Sequence, residues 1–304
     1  MSAYRLTASV LVGILLCLGA ILCCFASDTT SNLEAVRIGI FADLHAHDTD
    51  SPGEGKVMTN YAERLTACVE AMNDWQADAM VQLGDFVNGR YVTGAEYGDP
   101  ARIGDILSQA EAIYAGFAGP RYHVLGNHDV YDLSKEEFLQ RVDAESCFTS
   151  FDIGPYHFVI LDAQYNKKGE DLGHAFWVVQ GNIPEKELEW LERDLGGTDK
   201  PTVVCIHQRL DVDFDVLSGG PEILNKDAVI GVLNGSAKVI AVFQGHDHHN
   251  HHSVTEGIHY VTFRALVDET EGVPPSWARV TLNPRDRRIM IDGEGEQDDL
   301  EIEY

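Results

Sequence analysis

Five apolar runs of this 304-residue chain end in side chains that bind hard or borderline metal ions. "GIFADLH" closes on Asp43 and His45, "MVQLGDFVN" on Asp85 and Asn88, "YHVLGNHD" on Asn127, His128 and Asp129, "VVCIH" on His207, and "AVFQGHDHH" on His246 and His248. Mixed oxygen and imidazole donors suit Mn, Fe or Zn, and this many of them can hold two divalent ions. Residues two apart at a strand end project the same way, so Asp43 with His45, and His246 with His248, can each grip one ion. Glycines stand before Asp85, Asn127 and His246, where a crowded centre needs sharp turns and close backbone approach. The tract "QGHDHHNHH" at 244–252 is by itself a compositional feature; partners from four other strand ends make it one wall of a cluster.

The elements that must position these residues follow from hydrophobic patterning. "VRIGIFA", "AMVQLG", "YHVLG", "FVILDA", "TVVCIH" and "VIAVFQG" read as strands buried on both faces. Between them, "NYAERLTACVEAMNDWQA", "GDILSQAEAIYAGFAG", "SKEEFLQRV", "IPEKELEWLERDLGG" and "GPEILNKDAVIGVLN" read as helices, several with a polar or proline start and a glycine stop. Alternation of this kind predicts a layered α/β fold, in which ligands bind outside the carboxyl ends of the strands. "HYVTFRAL", "WARVTLN" and "RIMID" read instead as antiparallel strands of a second sheet, and "GEGEQDDLEIEY" as a solvated acidic tail. There is no internal repeat, P-loop or dinucleotide glycine fingerprint.

Composition narrows the partners. Against 49 acidic residues stand 22 basic ones, a formal net charge of −27, and such a surface repels polymeric nucleic acid while leaving a small phosphorylated substrate open. The segment 1–27 carries one charged side chain, Arg5, ahead of a long apolar run, and is expected to be a signal peptide or signal anchor. That implies an exported chain, periplasmic, secreted or anchored outside the cytoplasm, touching a membrane only through residues 6–25 if these are uncleaved. A linker over 28–35, a catalytic domain over 36–293 and an acidic tail over 294–304 complete the expected organisation. Beyond the leader, Cys68, Cys147 and Cys205 are too few and too scattered for a disulfide framework.

The order Asp-x-His, Gly-Asp-x-x-Asn, Gly-Asn-His-Asp, His, Gly-His-x-His resembles the calcineurin-like metallophosphoesterase superfamily, over residues 43–248. The intervening "FDIGPYHFVILDAQY", "IPEKELEWLERDL" and "GHDHHN" resemble the branch that includes manganese-dependent ADP-ribose/CDP-alcohol diphosphatases. The resemblance implies a four-layer α/β/β/α sandwich of two mixed sheets flanked by helices. It implies one ion on Asp43, His45, Asp85 and His248, and a second on Asp85, Asn127, His207 and His246, with a bridging hydroxide attacking phosphorus. His128 would protonate the departing oxygen or stabilise phosphoryl charge. Where many members carry an aspartate to orient that histidine, this chain has Asn88, an amide that can hold the ring without stabilising its cation.

Arg90, Arg209 and Arg264 lie near strand ends and are candidates for phosphate contact, since guanidinium matches phosphate geometry. Tyr91 and Trp177 are aromatic groups that could stack a base or sugar. His249 is expected to brace the centre, and His47, His251 and His252 to be solvated. The function expected is hydrolysis of a phosphomonoester, phosphodiester or diphosphate of a small molecule by two divalent ions. The alternatives are a cyclic-nucleotide phosphodiesterase or nuclease, and a catalytically weak metal-binding surface protein.

Overall fold

A six-residue apolar strand, β1 (Val36–Phe41), is buried on both faces and sits at the middle of the first of two sheets. The computed structural model describes residues 34–50, 56–89, 99–174, 179–214, 219–220, 222–268 and 270–304. Parallel to β1 run β2 (Ala79–Gln82) and then β3 (Arg121–His123). The second sheet contains β4 (Thr149–Ile153), β5 (Tyr156–Ile160), β6 (Thr202–Cys205), β7 (Val239–Gln244), β8 (His251–Thr255) and β9 (Ile258–Thr262). Its order is β4-β5-β6-β7-β9-β8, with β5, β6, β7 and β9 parallel.

The C-terminal strands do not form a sheet of their own. β9 extends the second sheet, whereas β10 (Trp277–Asn283) pairs antiparallel with β1 and carries β11 (Arg288–Glu294) outward on the first. The solvated tail expected over 294–304 is corrected in the same way. Its "LEIE" alternates apolar and acidic residues with the strand period of two, so Leu300–Glu303 forms β12 against β11 and Ile302 is 1% exposed.

Five helices among the described residues cover the outer faces: α1 (Tyr61–Trp75), α2 (Pro100–Tyr114), α3 (Lys135–Val142), α4 (Glu185–Gly197) and α5 (Lys226–Ser236). The expected serine start of α3 is a full capping box between Ser134 and Glu137, while α2 begins at Pro100, behind an Asp99 cap. Cys68 and Met72 of α1 and Leu107 of α2 pack on Phe41 and Met80, outside the first sheet. Leu191 of α4 and Val229 and Leu233 of α5 pack on Val159, Val204 and Val242, outside the second. Between the sheets lie Ile38, Ile40, Val81, Phe158, Val203 and Phe243, which gives four layers, α/β/β/α. Cys68 and Cys205 are buried, and all three described cysteines are free.

The expected leader over 1–27 lies outside the described residues. Among those described, no helix is long and apolar enough to cross a membrane.

Candidate metal centre

The parallel strands of both sheets end along one edge of the sandwich, and the loops that follow are locked to one another before any ligand is considered. Asp43 N donates to Gly84 O at 3.0 Å, His45 N to Asp85 O at 2.8 Å and Gly245 N to His207 O at 3.0 Å. Among the bonds that cross between the sheets, His246 N donates to the Asp43 carboxylate at 3.1 Å, and His207 Nδ1 to Leu83 O at 2.7 Å. Asp129 ties the remaining loop, accepting from Val87 N at 2.9 Å and Gly126 N at 2.8 Å.

The chain turns so tightly here that Asp43, His45, Asp85, His246 and His248 all have φ between 46° and 71°. L residues rarely adopt that region, and its concentration on these residues marks a functional constraint. The glycines expected to give room do so. A Cβ at Gly126 would collide with the Asp85 carboxylate, and one at Gly84 with the His207 ring.

Six of the seven expected ligands converge. Asp43, His45 and His248 form one group, and Asp85, His207 and His246 another; His45, Asp85 and His128 make a third that joins them. His45 Nε2 lies 3.1 Å from His248 Nε2, His248 Nε2 3.5 Å from Asp43 Oδ1, and His45 Nε2 3.6 Å from Asp85 Oδ2. His207 Nε2 lies 3.2 Å from Asp85 Oδ2 and 3.3 Å from His246 Nδ1.

The outer nitrogens decide what these inner atoms are. His207 Nδ1 faces a carbonyl, and His248 Nδ1 faces the Asp268 carboxylate at 3.2 Å, so both must donate. His45 Nδ1 donates to Asn88 Oδ1 at 2.8 Å. In the neutral rings each Nε2 is then a lone pair aimed at other lone pairs and at carboxylates, an arrangement that a cation satisfies. Asn127 fits the same set: its Nδ2 donates to Tyr131 Oη at 2.6 Å, while its Oδ1 is buried without a hydrogen-bond partner.

Proton affinities show the same demand for positive charge. Burial alone would raise the Asp85 carboxyl, but His207, His128 and His45 outweigh it and hold the group well below the usual range. Burial also opposes charge on His207, yet Asp85 and then Asp43 raise it to about 10. Asp43 is raised to about 6, chiefly by burial. His128 is lowered to about 4, again chiefly by burial, and its buried Nδ1 has no partner.

Two of the arginines expected near phosphate have partners within the protein. Arg209, 9% exposed, donates through Nη1 to Asp247 at 2.6 Å and through Nε to Asp211 at 3.2 Å. Arg264 donates to His248 O at 3.0 Å and to Glu296 at 2.8 Å. Both brace the loop that bears His246 and His248. Arg90, Tyr91 and Trp177 lie outside the described residues.

Asn88 is also placed differently from expectation, since its side-chain oxygen holds the candidate ligand His45 and not His128. His47 is buried, not solvated, with Nδ1 accepting from Thr49 N at 3.0 Å. His249 is exposed and donates to Asp247 O at 2.7 Å, away from the centre, while His251 and His252 are exposed on β8. Sequence reasoning missed Asp268 and Tyr131, which orient His248 and Asn127. It also missed Lys56, whose charge adds to the larger effect of burial in lowering both His45 and His128.

Residues 36–250 match the family described as calcineurin-like phosphoesterase. The chain belongs to that family. Among proteins similar to it, the manganese-dependent ADP-ribose/CDP-alcohol diphosphatase of Oryza sativa subsp. japonica is 24% identical, over 87% of this chain and 92% of that protein. The Danio rerio protein of the same name is 25% identical, over 88% of this chain and 97% of its own length. A solved dimetal phosphatase from Danio rerio superposes with a TM-score of 0.72 at 19% identity, covering 88% of this chain and 99% of that one, which bears on the fold. A calcineurin-like phosphoesterase with these donor groups has what two divalent ions require, and the relatives' names give manganese as the metal they depend on.

Proposed function

We propose that this phosphoesterase hydrolyses the diphosphate linkage of a small nucleotide-like molecule, using Asp43, His45, Asp85 and His248 for one ion and Asp85, Asn127, His207 and His246 for the other. The observation that carries the reading is the pair of three-residue groups joined through His45, Asp85 and His128. Two divalent cations held there would polarise the phosphoryl oxygens and lower the pKa of bound water towards neutrality. The diphosphatase class is supported by relatives so named along nearly the whole chain. A net charge of −27 works against polymeric nucleic acid.

The chain's own residues divide the work. Asn88 and Asp268 fix the rings of His45 and His248 from behind, and Tyr131 turns the Asn127 amide so that its oxygen is left for the ion. His128 N donates to Asp85 Oδ1 at 2.8 Å, which sets the backbone of His128 against the carboxylate proposed to serve both ions. Its ring stands edge-on to His45 with centroids 4.6 Å apart. Hydrolysis makes one P–O bond to water, breaks the P–O bond to the leaving phosphate and leaves a proton on the departing oxygen. A ring neutral above pH of about 4 serves that change as a hydrogen-bond donor to phosphoryl or leaving oxygen, not as a stored cation. The apolar run at 6–25 supports export, as a secreted, periplasmic or membrane-anchored enzyme.

The test is turnover of ADP-ribose and CDP-choline against p-nitrophenyl phosphate and bis-p-nitrophenyl phosphate by manganese-loaded protein lacking residues 1–27. The reading requires the two diphosphates to have the highest kcat/KM. Preference for the monoester or the simple diester removes it.

A further inference from the structure

Two amide side chains, Gln164 and Gln208, are wholly buried beside the metal-bearing loops, where burial is costly unless each polar atom is paired. They pair with one another. Gln164 Nε2 donates to Gln208 Oε1 at 2.8 Å, and Gln208 Nε2 donates to Gln164 Oε1 at 3.2 Å. Each amide also donates to a backbone carbonyl: Gln164 to Leu125 O at 2.9 Å, and Gln208 to Val179 O at 3.2 Å. Gln164 is anchored from its own loop, because the Asp162 carboxylate accepts from Gln164 N at 2.9 Å and from the Lys135 ammonium at 2.6 Å.

The pair joins the two sheets at a particular place. Leu125 stands two residues before Asn127 on the loop after β3, and Gln208 follows His207 on the loop after β6. Asn127 and His207 are assigned above to the same ion. Asp43 and His45, assigned to the other, stand on the loop after β1, where their backbone N–H groups are held by Gly84 O and Asp85 O. We propose that Gln164 and Gln208 are positioning residues that set the separation of Asn127 and His207 and thereby govern the affinity of one ion of the two. The inference rests on the two-ion reading and adds an asymmetry between its halves. A buried amide pair with its hydrogen bonds made specifies one arrangement, whereas apolar side chains of similar volume fill the space without fixing it. Groups in a site of this kind must be held to within about 0.5 Å, and the pair grips the chain one residue from His207 and two from Asn127.

The experiment is a calorimetric manganese titration of metal-free wild type, Gln164→Met, Gln208→Met and the double variant, with His45→Ala and Asn127→Ala to assign the two binding steps. Leu191→Ala, a cavity in the outer core of the second sheet, controls for general loosening. Gln164→Met should weaken one step by about 10–100-fold, the range for residues that orient ligands, and leave the other within about threefold. The weakened step should be the one lost in Asn127→Ala, and the preserved step the one lost in His45→Ala. Gln208→Met should do the same, and the double variant should be no worse than either single, because both remove one reciprocal contact. Should Gln164→Met fail to fold, Gln208→Met alone decides. Two unchanged steps, or two steps weakened equally as by Leu191→Ala, overturn the inference. Fewer than two ions in wild type removes the two-ion reading and the inference with it. Two ions without diphosphate hydrolysis removes the proposed activity, and the titration still decides the role of the pair.

Discussion

The side-chain oxygen of Asn88 lies 2.8 Å from Nδ1 of His45, on the side of the ring away from the candidate ion, and it makes the remaining nitrogen of that ring a donor atom for metal. Asp268 stands in the same relation to His248 at 3.2 Å. Partners of this kind typically contribute about 10–100-fold in metal affinity. Asn88→Ala and Asp268→Ala should each weaken manganese binding by about that factor, with activity recovered at high manganese, as a metal titration of initial rates will show. A loss of kcat that persists at saturating manganese would instead place these residues in the chemistry.

His128 provides a pH test. Its pKa is lowered to about 4, chiefly by burial, and added cations can only lower it further. A histidine with a depressed pKa is neutral above that value, so it contributes no loss of activity as pH rises from 6 to 9. His128→Ala should therefore lower kcat at every pH in that interval by a similar factor, within the about 10²–10⁴-fold range of positioned proton-transfer groups. Removal of a basic limb present in wild type would show that the ring works as a cation.

Metal uptake should release protons. In the metal-free protein His207 is raised to about 10 because Asp85 and Asp43 outweigh the cost of burial, so it is charged at pH 7 and must lose its proton to become a ligand. Affinity should rise with pH up to about 10, and about one proton per chain should leave at pH 7. Calorimetry in buffers of different ionisation enthalpy measures this directly, and uptake without proton release would contradict it.

Gly126 has no room for a side chain, because a Cβ there meets the Asp85 carboxylate. Gly126→Ala should displace Asp85 and lose bound manganese while far-ultraviolet circular dichroism remains that of the folded protein. Retention of full metal content would show that the loop yields without cost.

The five metal-bearing strand ends were legible because each apolar run stops at a glycine, a ligand or both, and because a parallel sheet sends such ends to one edge. Residues that hold the ligands were not. Asp268 arrives from a segment with no periodic signal, and Tyr131 from a turn one helical step beyond Asn127. The partners Asp247 of Arg209 and Glu296 of Arg264 were not legible either, since they lie 38 and 32 residues away in sequence. The strand Leu300–Glu303 was hidden by its acidic residues, although Leu300 and Ile302 alternate with them on the strand period. The histidine tract divides as its geometry requires: His246 and His248 turn inward at positive φ, while His251 and His252 continue as an exposed edge strand.

The most direct test of the central claim is metal content and hydrolysis measured on the same purified samples of wild type, Asp85→Ala and His128→Ala. The account predicts about two ions in wild type and turnover of a diphosphate. It also predicts loss of both metal and activity in Asp85→Ala, and in His128→Ala retained metal with strongly reduced kcat. Full metal content in Asp85→Ala, or wild-type rates in His128→Ala, would contradict it.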